Sequence, residues 1–315
     1  MMYREKIKPI LKGIIKHIPG VKSFLSNRTG GTIESRYCYS VWMRHLIHWD
    51  IFNDGIPENV LELGPGDSLG IGLASLLSGS KHLYALDVVK YWDNKRNLEI
   101  FEELIELFKS KTDIPDNVEY PMLKSSIENC NFPSGILSDK LLNETLAENR
   151  LNAIRKEIMD IDNPENSFIK YYIPWNESDI IFADTIDFIY SETVLQHVED
   201  LDNTYRAMKN WLKPLGLMSH TIDFKSMNTI ESWNGHWTFS DFEWKIVKGG
   251  KLFLINREPI SKHIELHSKY GFKILINAPI KMENKLNRNQ FSSKYQNLSE
   301  EDITTSVTYI LSKKQ

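Results

Sequence analysis

A buried strand, a tight glycine turn and the start of a helix follow one another within a single short run of this chain. Residues 60–70 read VLELGPGDSLG. The apolar VLEL segment fits a buried strand, and Gly64 and Gly66 can adopt backbone conformations that other residues avoid. Such a turn brings backbone N–H groups and a helix N-terminus close to whatever lies above it. The run therefore predicts an α/β sheet with a binding site at the end of its first strand.

A second apolar run, residues 83–86, ends at Asp87, twenty-one residues after Gly66. A carboxylate at that distance from a glycine turn can accept hydrogen bonds from the two hydroxyls of a ribose. Isolated carboxylates are usually solvated surface groups, but Asp87 ends a predicted buried strand beside the turn. Together the turn and Asp87 predict a nucleoside-containing cofactor, whose identity they leave open.

The composition is that of an ordinary globular protein. The chain has 315 residues, of which 41% are hydrophobic and 25% charged, enough for one large domain or two modest ones. Its formal net charge of −4 argues against a general nucleic-acid binder. No apolar run reaches the ~18 residues of a membrane span. Cys38 and Cys130 provide neither a disulfide framework nor a metal-binding spacing, so we expect a reduced, cytoplasmic setting.

The first 28 residues are basic, with seven lysines or arginines against one glutamate. Apolar residues are interleaved with these charges, namely Ile7, Ile10, Leu11, Ile14, Ile15 and Ile18. We expect an N-terminal helix that packs on the domain and exposes a solvated basic face. The alternative is a peripheral contact with the anionic inner surface of a membrane.

Strands and helices alternate along the rest of the chain. Residues 1–57 are expected to form a helical segment packed on the core, and residues 58–315 one domain with insertions at about 114–165 and 224–256. Strands are expected at 59–63, 82–86, 168–173, 186–190, 217–222, 272–276 and 306–311, and one helix over about 138–159. The pattern predicts an α/β fold with a doubly wound, mostly parallel seven-stranded sheet covered on both faces. Long insertions at the ligand end of such a sheet often serve as lids.

Three classes of ligand compete for the glycine turn. A nicotinamide-binding fingerprint is G-x-G-x-x-G, whereas here Gly64 and Gly66 are followed by Gly70, one residue too late. A phosphate-binding loop would need G-K-[ST], which does not follow. Residues 60–80 contain no Lys or Arg, so the turn offers no basic cradle for phosphate. A sulfonium cofactor carries no phosphate and needs only close approach of the backbone.

Four segments occur in order and at fitting spacing. They are residues 60–66 (VLELGPG), Asp87, residues 186–200 (IDFIYSETVLQHVED) and residues 211–216 (WLKPLG). Over roughly residues 58–223 the chain resembles the class I S-adenosylmethionine-dependent methyltransferases. The resemblance implies a Rossmann-like methyltransferase fold, S-adenosyl-L-methionine as cofactor and methyl transfer as the reaction. Leu215 stands where the family usually has glycine, which should alter a turn rather than the chemistry.

The resemblance also implies which residues hold the cofactor. Asp87 suits the ribose hydroxyls, and Glu62 and Asp67 add negative charge near the ammonium and sulfonium groups. A polar residue after the third strand, with Asn176 as our candidate, would reach the adenine. The predicted cofactor-binding set is Glu62, Gly64, Pro65, Gly66, Asp67, Ser68, Asp87, Val88, Asn176, Ser191 and Glu192.

Histidines near the ends of the fourth and fifth strands are candidate bases, because a hydroxyl acceptor must lose a proton. His197 follows the fourth strand, and His220 and Asp223 lie along the end of the fifth. We predict these three as catalytic residues. Each histidine also has a structural alternative, a helix cap for His197 and a satisfied core position for His220.

An aromatic stretch, residues 233–244, is predicted to contact the acceptor. Within it His236 and Trp237 are the candidate substrate-binding residues, and Arg257 would offer a cation to an acidic group of the acceptor. The alternative is a hydrophobic cover over the sheet. We expect no metal, because magnesium prefers oxygen ligands to a set of His220, Asp223 and His236.

Two flanking segments bear on the acceptor. Residues 37–46 (YCYSVWMRHL) and 255–257 (INR) look like those of a bacterial methyltransferase group often linked to surface polysaccharide biosynthesis. That resemblance implies O-methylation of a sugar, nucleotide-sugar or glycan hydroxyl by in-line displacement. The alternatives are an N-methyltransferase acting on a small molecule, a nicotinamide-dependent oxidoreductase and a non-catalytic cofactor-binding protein.

Overall fold

A computed structural model describes residues 2–16, 31–91, 93–175, 179–249 and 254–315. Short 3₁₀ turns connect several of its elements, including one at Gly31–Ile33. Within the described residues the strands are β1 (Asn59–Leu63), β2 (His82–Leu86), β3 (Ile169–Tyr172), β4 (Ile186–Glu192), β5 (Leu212–Asp223), β6 (Phe272–Lys281) and β7 (Thr305–Lys314). The helices are α1 (Met2–Lys16), α2 (Ser35–Asp50), α3 (Gly70–Ser78), α4 (Asn94–Lys109), α5 (Asp139–Thr145), α6 (Glu148–Met159), α7 (Leu201–Trp211), α8 (Asp241–Lys248), α9 (Ile260–Lys269) and α10 (Glu300–Thr304).

The seven strands form one sheet in the order β3-β2-β1-β4-β5-β7-β6. The first five of these strands are parallel, and β7 runs antiparallel to both β5 and β6. The predicted doubly wound, mostly parallel seven-stranded α/β sheet is confirmed. Chain connections leave β1 and β4 toward opposite edges of the sheet, and such a switch point opens a crevice at the carboxyl ends of the strands.

Helices cover both faces of the sheet, because alternate residues of each strand point to opposite sides and both sides are apolar. On one face α2, α3, α4 and α6 pack over Val60 and Leu83. On the other face α7 and α9 pack over Leu61 and Met218. The glycine turn lies at the carboxyl edge between these two layers.

The register between β4 and β5 is irregular, with Ile186 opposite Leu212 and Phe188 opposite Leu217. Leu215 lies in this irregular segment with φ at 66° and is 62% exposed. Left-handed backbone of this kind is adopted by glycine without steric cost and disfavoured for leucine. The turn therefore keeps a conformation suited to glycine although a leucine occupies it.

The single helix expected over residues 138–159 is two helices, α5 and α6, because Ala147 between them has extended backbone. The break lets Arg150 donate to the Leu76 and Ser80 carbonyls, each at 2.9 Å, at the C-terminal end of α3. The apolar faces of α5 and α6 join the core over α3 and α4. This insertion therefore belongs to the helical layer, and its expected role as a lid remains a prediction.

The N-terminal helix α1 lies against α8, which belongs to the second insertion. Gly13 permits the close contact, since a Cβ at that position would lie 2.0 Å from the Ile246 carbonyl oxygen. Lys6 pairs with Glu243 at 2.8 Å on the same side of α1. Among the described helices, none is both long and apolar enough to span a bilayer.

Candidate active site

The turn after β1 contains two glycines in left-handed backbone conformations, Gly64 at φ 66° and Gly66 at φ 74°. Gly64 donates its N–H to the Leu86 carbonyl at 2.8 Å, which fixes the turn to the end of β2. A Cβ at position 64 would lie 2.7 Å from a methyl carbon of Val194. Conformation and space therefore both require glycine here, and Pro65 between the two glycines is buried.

The N-terminal end of α3 has backbone N–H groups that already bond to side chains of the protein. Thr32 Oγ1 accepts from the N–H groups of Asp67 and Ser68 at 3.0 and 3.2 Å. Asn97 Oδ1 accepts from the N–H of Leu69 at 2.9 Å. These N–H groups are the ones that an anionic ligand would otherwise bind at a helix N-terminus.

Glu62 lies beneath the glycine turn, and only 2% of it is exposed. Its Oε2 accepts from the Gly72 N–H at 3.1 Å and from the Tyr190 hydroxyl at 3.2 Å. Burial raises the pKa of Glu62 to about 8, so the carboxyl retains its proton at neutral pH. These contacts tie α3 to β1 and β4. The negative charge expected at Glu62 is therefore absent at neutral pH, because burial disfavours the ionised carboxylate. The expected contact between Glu62 and the cofactor remains a prediction.

Asp87 follows β2, and its carboxylate contacts the glycine turn. Oδ2 accepts from the Gly66 N–H at 3.3 Å, and Oδ1 accepts from the Val88 N–H at 2.7 Å. Burial raises the pKa of Asp87. Oδ1 also accepts from the Val89 N–H at 3.4 Å, so Oδ2 is the oxygen that retains a lone pair for a hydroxyl donor. Val88 beside the carboxylate is 48% exposed. The structure thus brings together Gly66, Asp87 and Val88, three of the predicted cofactor-binding residues.

The predicted residues Ser191 and Glu192 end β4 and point to opposite faces of the sheet. Ser191 Oγ lies 2.8 Å from His220 Nδ1 within the core. Glu192 points toward α2, where its Oε2 lies 4.0 Å from His45 Nε2. Burial raises the pKa of Glu192 to about 7.

A narrow cleft at the carboxyl ends of β4 and β5 is lined by Gln196, Asp223, His236 and Arg257, among others. His197 adjoins Gln196 and is partly buried; burial lowers its pKa, and the nearby charge of Asp223 opposes that change. Four of the predicted catalytic and acceptor-binding residues therefore lie along one rim of the sheet.

His220 is separate from this rim. It is fully buried on the opposite face of β5 from Asp223, since the two residues are three positions apart on a strand. Burial, with the neighbouring His267 and His263 of α9, lowers its pKa well below the ordinary value. These surroundings are those of a core histidine. A catalytic role for His220 remains only a prediction.

The side chains of Trp237, His236 and Arg257 are at least nine-tenths buried. Trp237 donates its indole N–H to the Arg257 carbonyl at 2.8 Å. The Arg257 guanidinium lies over the rings of Trp244 and Tyr295, at 5.0 and 5.1 Å from their centroids. The observed contacts are those of a packed cover over the sheet, so contact between these residues and an acceptor stays a prediction.

Asn176 lies outside the described residues. Trp175 immediately before it donates its N–H to the Asp87 carbonyl at 3.1 Å, so the segment after β3 begins beside Asp87. Among the residues that the structure describes, no group of three His, Cys, Asp or Glu side chains is placed to hold a metal ion.

Sequence reasoning missed Thr32 and His45. Thr32 reaches the glycine turn from a segment more than thirty residues away, and nothing in its local sequence signals the contact. His45 lies in the aromatic helix α2, where its fully buried position is typical of the whole inner face. A histidine among buried aromatic residues was the available signal for a buried polar group.

Comparison with known proteins adds a likeness of fold. No family model matches the chain, and no curated protein does. Among solved structures, an S-adenosylmethionine-dependent methyltransferase from Mesorhizobium loti is 13% identical with a TM-score of 0.41, over 86% of this chain and 98% of that one. A methyltransferase from Methanosarcina mazei is 11% identical with a TM-score of 0.44, over 85% and 96%. Phosphoethanolamine N-methyltransferase 2 from Haemonchus contortus is 14% identical with a TM-score of 0.43, over 94% and 60%.

Proposed function

We propose that the chain is an S-adenosylmethionine-dependent methyltransferase. The observation that carries this proposal is the N-terminal end of α3, where the N–H groups of Asp67, Ser68 and Leu69 have side-chain acceptors. A nicotinamide dinucleotide needs such N–H groups for its pyrophosphate, whereas a sulfonium cofactor has no phosphate to bind. The antiparallel β7 inserted beside β5 is a further departure from the 3-2-1-4-5-6 strand order of dinucleotide-binding folds.

The residues at the turn fit S-adenosyl-L-methionine. The turn and its neighbours offer backbone groups and carboxylates without any Lys or Arg over residues 60–80, which suits a cationic ligand. Asp87 would accept the ribose hydroxyls, Val88 would lie against the adenine, and Asp67 would face the methionine part. When bound, the cofactor supplies an electrophilic methyl group on sulfur, and the sulfur keeps the electron pair of the broken bond.

We place the methyl acceptor at the rim formed by His197, Asp223 and the end of β4. His197 is partly exposed there, and its lowered pKa keeps the imidazole neutral at pH 7. A neutral imidazole beside a carboxylate can bind and orient a hydroxyl group. The reaction that we propose is O-methylation of a sugar, nucleotide-sugar or glycan hydroxyl, and an N-methyltransferase would differ in the accepting atom.

Two titrations test the cofactor. We expect calorimetry to detect binding of S-adenosylhomocysteine and the fluorescence of NADH to stay unchanged on addition of the protein. A nicotinamide-dependent oxidoreductase would give the reverse result. A non-catalytic protein would bind S-adenosylhomocysteine but transfer no radiolabelled methyl group to any acceptor in a panel of sugars, nucleotide-sugars and amines. Binding without transfer would therefore reject the proposal that the protein is an enzyme.

We further propose that α1 contacts an anionic membrane surface on the cytoplasmic side. Ile7, Leu11 and Ile14 are 44%, 53% and 47% exposed, and the exposed Lys8 and Lys12 lie beside them. An apolar ridge flanked by lysines suits the boundary of anionic lipids.

Cosedimentation with vesicles tests this contact. The protein should sediment with phosphatidylserine-containing vesicles and less with pure phosphatidylcholine, and Leu11→Asp should remove the difference. Val118→Asp, at a position 87% exposed elsewhere, serves as the control. Equal sedimentation of wild type and Leu11→Asp would reject the contact.

A further inference from the structure

An enclosure of polar side chains lies between α2 and the carboxyl ends of β4 and β5. Within it the Glu192 side chain is 5% exposed and the His45 side chain fully buried. The enclosure adjoins the candidate active site, because Glu192 ends β4 two residues before Val194, which contacts Gly64. The enclosure is formed by Tyr37, Arg44, His45, Glu192, Ser219, Thr221 and Tyr309.

A chain of short contacts fixes the orientation of His45. The Tyr309 hydroxyl lies 2.7 Å from Ser219 Oγ, and Ser219 Oγ lies 2.7 Å from His45 Nδ1. When Tyr309 donates to Ser219 and Ser219 donates to Nδ1, the imidazole proton resides on Nε2. The Nε2–H group then faces the Glu192 carboxylate.

His45 Nε2 and Glu192 Oε2 are 4.0 Å apart, and neither has a hydrogen-bond partner among the described residues. Buried polar atoms rarely lack partners, and each exception calls for an explanation. Two such atoms that face each other beside a candidate site form a donor and an acceptor to which the polar group of a third molecule can bond.

We propose that Glu192 is the general base of the reaction and that His45 is the positioning residue for the Glu192 carboxylate. This assignment rests on the proposed methyltransferase function. As the acceptor oxygen forms its bond to the methyl carbon, the carbon–sulfur bond would break with its electron pair left on sulfur, and the acceptor's hydroxyl proton would move to Glu192 Oε2. The carboxylate becomes a carboxylic acid and releases the proton to water once the product leaves. This role replaces the cofactor contact that the resemblance implied for Glu192, and it leaves His197 to orient the acceptor.

The charges around Glu192 support a carboxyl that exchanges its proton near neutral pH. Burial raises its pKa to about 7, and the Thr221 hydroxyl and the charge of the buried Arg44 guanidinium oppose a larger rise. Burial also lowers the pKa of His45 to about 3 and raises those of Tyr37 and Tyr309. His45 therefore stays neutral and the tyrosines stay protonated while Glu192 titrates. A base is most effective when its pKa lies near the working pH.

Carbon-13 NMR of the cofactor-free protein, labelled at the glutamate carboxyl carbon, tests the titration. One signal should have a midpoint near pH 7 and disappear in Glu192→Gln, while Glu103→Gln, at an exposed site on α4, should retain it. Ser219→Ala should raise the Glu192 midpoint. Without the Ser219 hydroxyl, the His45 imidazole is no longer held with its Nε2–H toward the Glu192 carboxylate, and the ionised carboxylate loses that stabilisation. A Glu192 midpoint near pH 4.5 would overturn the assignment of Glu192 as the general base. An unchanged midpoint in Ser219→Ala would overturn the positioning role of His45.

Calorimetry separates this proposal from the function on which it rests. If Glu192 is the base, Glu192→Gln should bind S-adenosylhomocysteine within about threefold of wild type, while turnover of an acceptor from the panel falls by about 10²–10⁴-fold. A tenfold loss of affinity would make Glu192 a ligand of the cofactor, and full turnover in Glu192→Gln would likewise overturn the proposal. Absence of binding by the wild type would reject the methyltransferase function itself.

Discussion

At the scale of single residues, the glycine turn and Asp87 meet at the carboxyl edge of the sheet, where the Gly66 N–H donates to Asp87 Oδ2 at 3.3 Å. Gly64, Gly66 and Asp87 follow strands whose ends meet in a parallel sheet, so spacing along the chain places them together. Thr32 and His45 reach the same edge from segments before the sheet, and no local pattern fixes where a connecting segment lies. The sequence thus predicted the residues on the strand ends and missed those that pack against them.

Leu215 gives a prediction about stability. Its left-handed backbone, with φ at 66°, costs leucine about 1–2 kcal/mol, and the side chain is mostly exposed. Leu215→Gly should therefore raise the free energy of unfolding by up to about 1 kcal/mol, after allowance for the greater entropy of glycine in the unfolded chain. Urea denaturation measures the change.

Val118→Gly is the matched control for Leu215→Gly, because Val118 is also exposed but lacks a positive φ. It should leave the stability unchanged or lower it. Equal effects of the two substitutions would show that the left-handed backbone at Leu215 carries no cost.

At the scale of elements, apolar periodicity located the helices and strands but misjudged where a helix breaks. Nothing in residues 138–159 interrupts a helical pattern, yet the chain is extended at Ala147. The break is favoured by a tertiary contact, because it allows Arg150 to reach the carbonyls of Leu76 and Ser80 at the end of α3. Tertiary demands of this kind override local propensity and are absent from the pattern itself.

Arg150 should therefore matter more than an ordinary surface arginine. Arg150→Met removes a partly buried cation from two carbonyls and from the face of Phe168, 4.7 Å away. We expect a loss of about 2 kcal/mol in the free energy of unfolding, since hydrogen bonds to charged groups contribute ~1.5–3 kcal/mol. Chemical denaturation followed by tryptophan fluorescence gives the value.

Arg155→Met provides the comparison on the same helix. Arg155 pairs with Glu102 and Glu148 at the surface, where ion pairs contribute ~0–1 kcal/mol. A loss in Arg155→Met as large as that in Arg150→Met would contradict a stabilising role for the bonds from Arg150 to the Leu76 and Ser80 carbonyls.

At the scale of the whole molecule, five histidines within the described residues are fully buried and neutral at pH 7. Burial lowers the pKa to about 3 or 4 in four of them and well below the ordinary value in the fifth. The unfolded chain titrates near pH 6.5 at each histidine, so below that pH it binds protons that the folded protein excludes. These histidines are His45, His220, His236, His263 and His267.

The histidine contribution to stability should therefore be complete above about pH 6.5 and be lost as the pH decreases. Between pH 6.5 and 5.5 the five histidines together should lower the free energy of unfolding by about 5 kcal/mol, because each contributes ~1 kcal/mol. Glu62 and Glu192 oppose this loss by ~1 kcal/mol each, since burial raises their pKa values to about 8 and 7, and the expected net loss is about 2–3 kcal/mol. Urea denaturation across this range measures the slope, and His82→Asn, at a partly exposed site, should not alter it. A free energy of unfolding that does not change between pH 6.5 and 5.5 would contradict the burial of these histidines in their neutral form.

The central claim is that Asp87 and the glycine turn hold S-adenosyl-L-methionine, and calorimetric titration with S-adenosylhomocysteine tests it most directly. The account predicts binding by the wild type and at least a tenfold loss in Asp87→Ala. Asp162→Ala, which removes an exposed carboxylate paired with Lys90, should bind within about twofold of wild type, and circular dichroism should show that both variants are folded. Undetectable binding by the wild type, or undiminished binding by folded Asp87→Ala, would contradict the account.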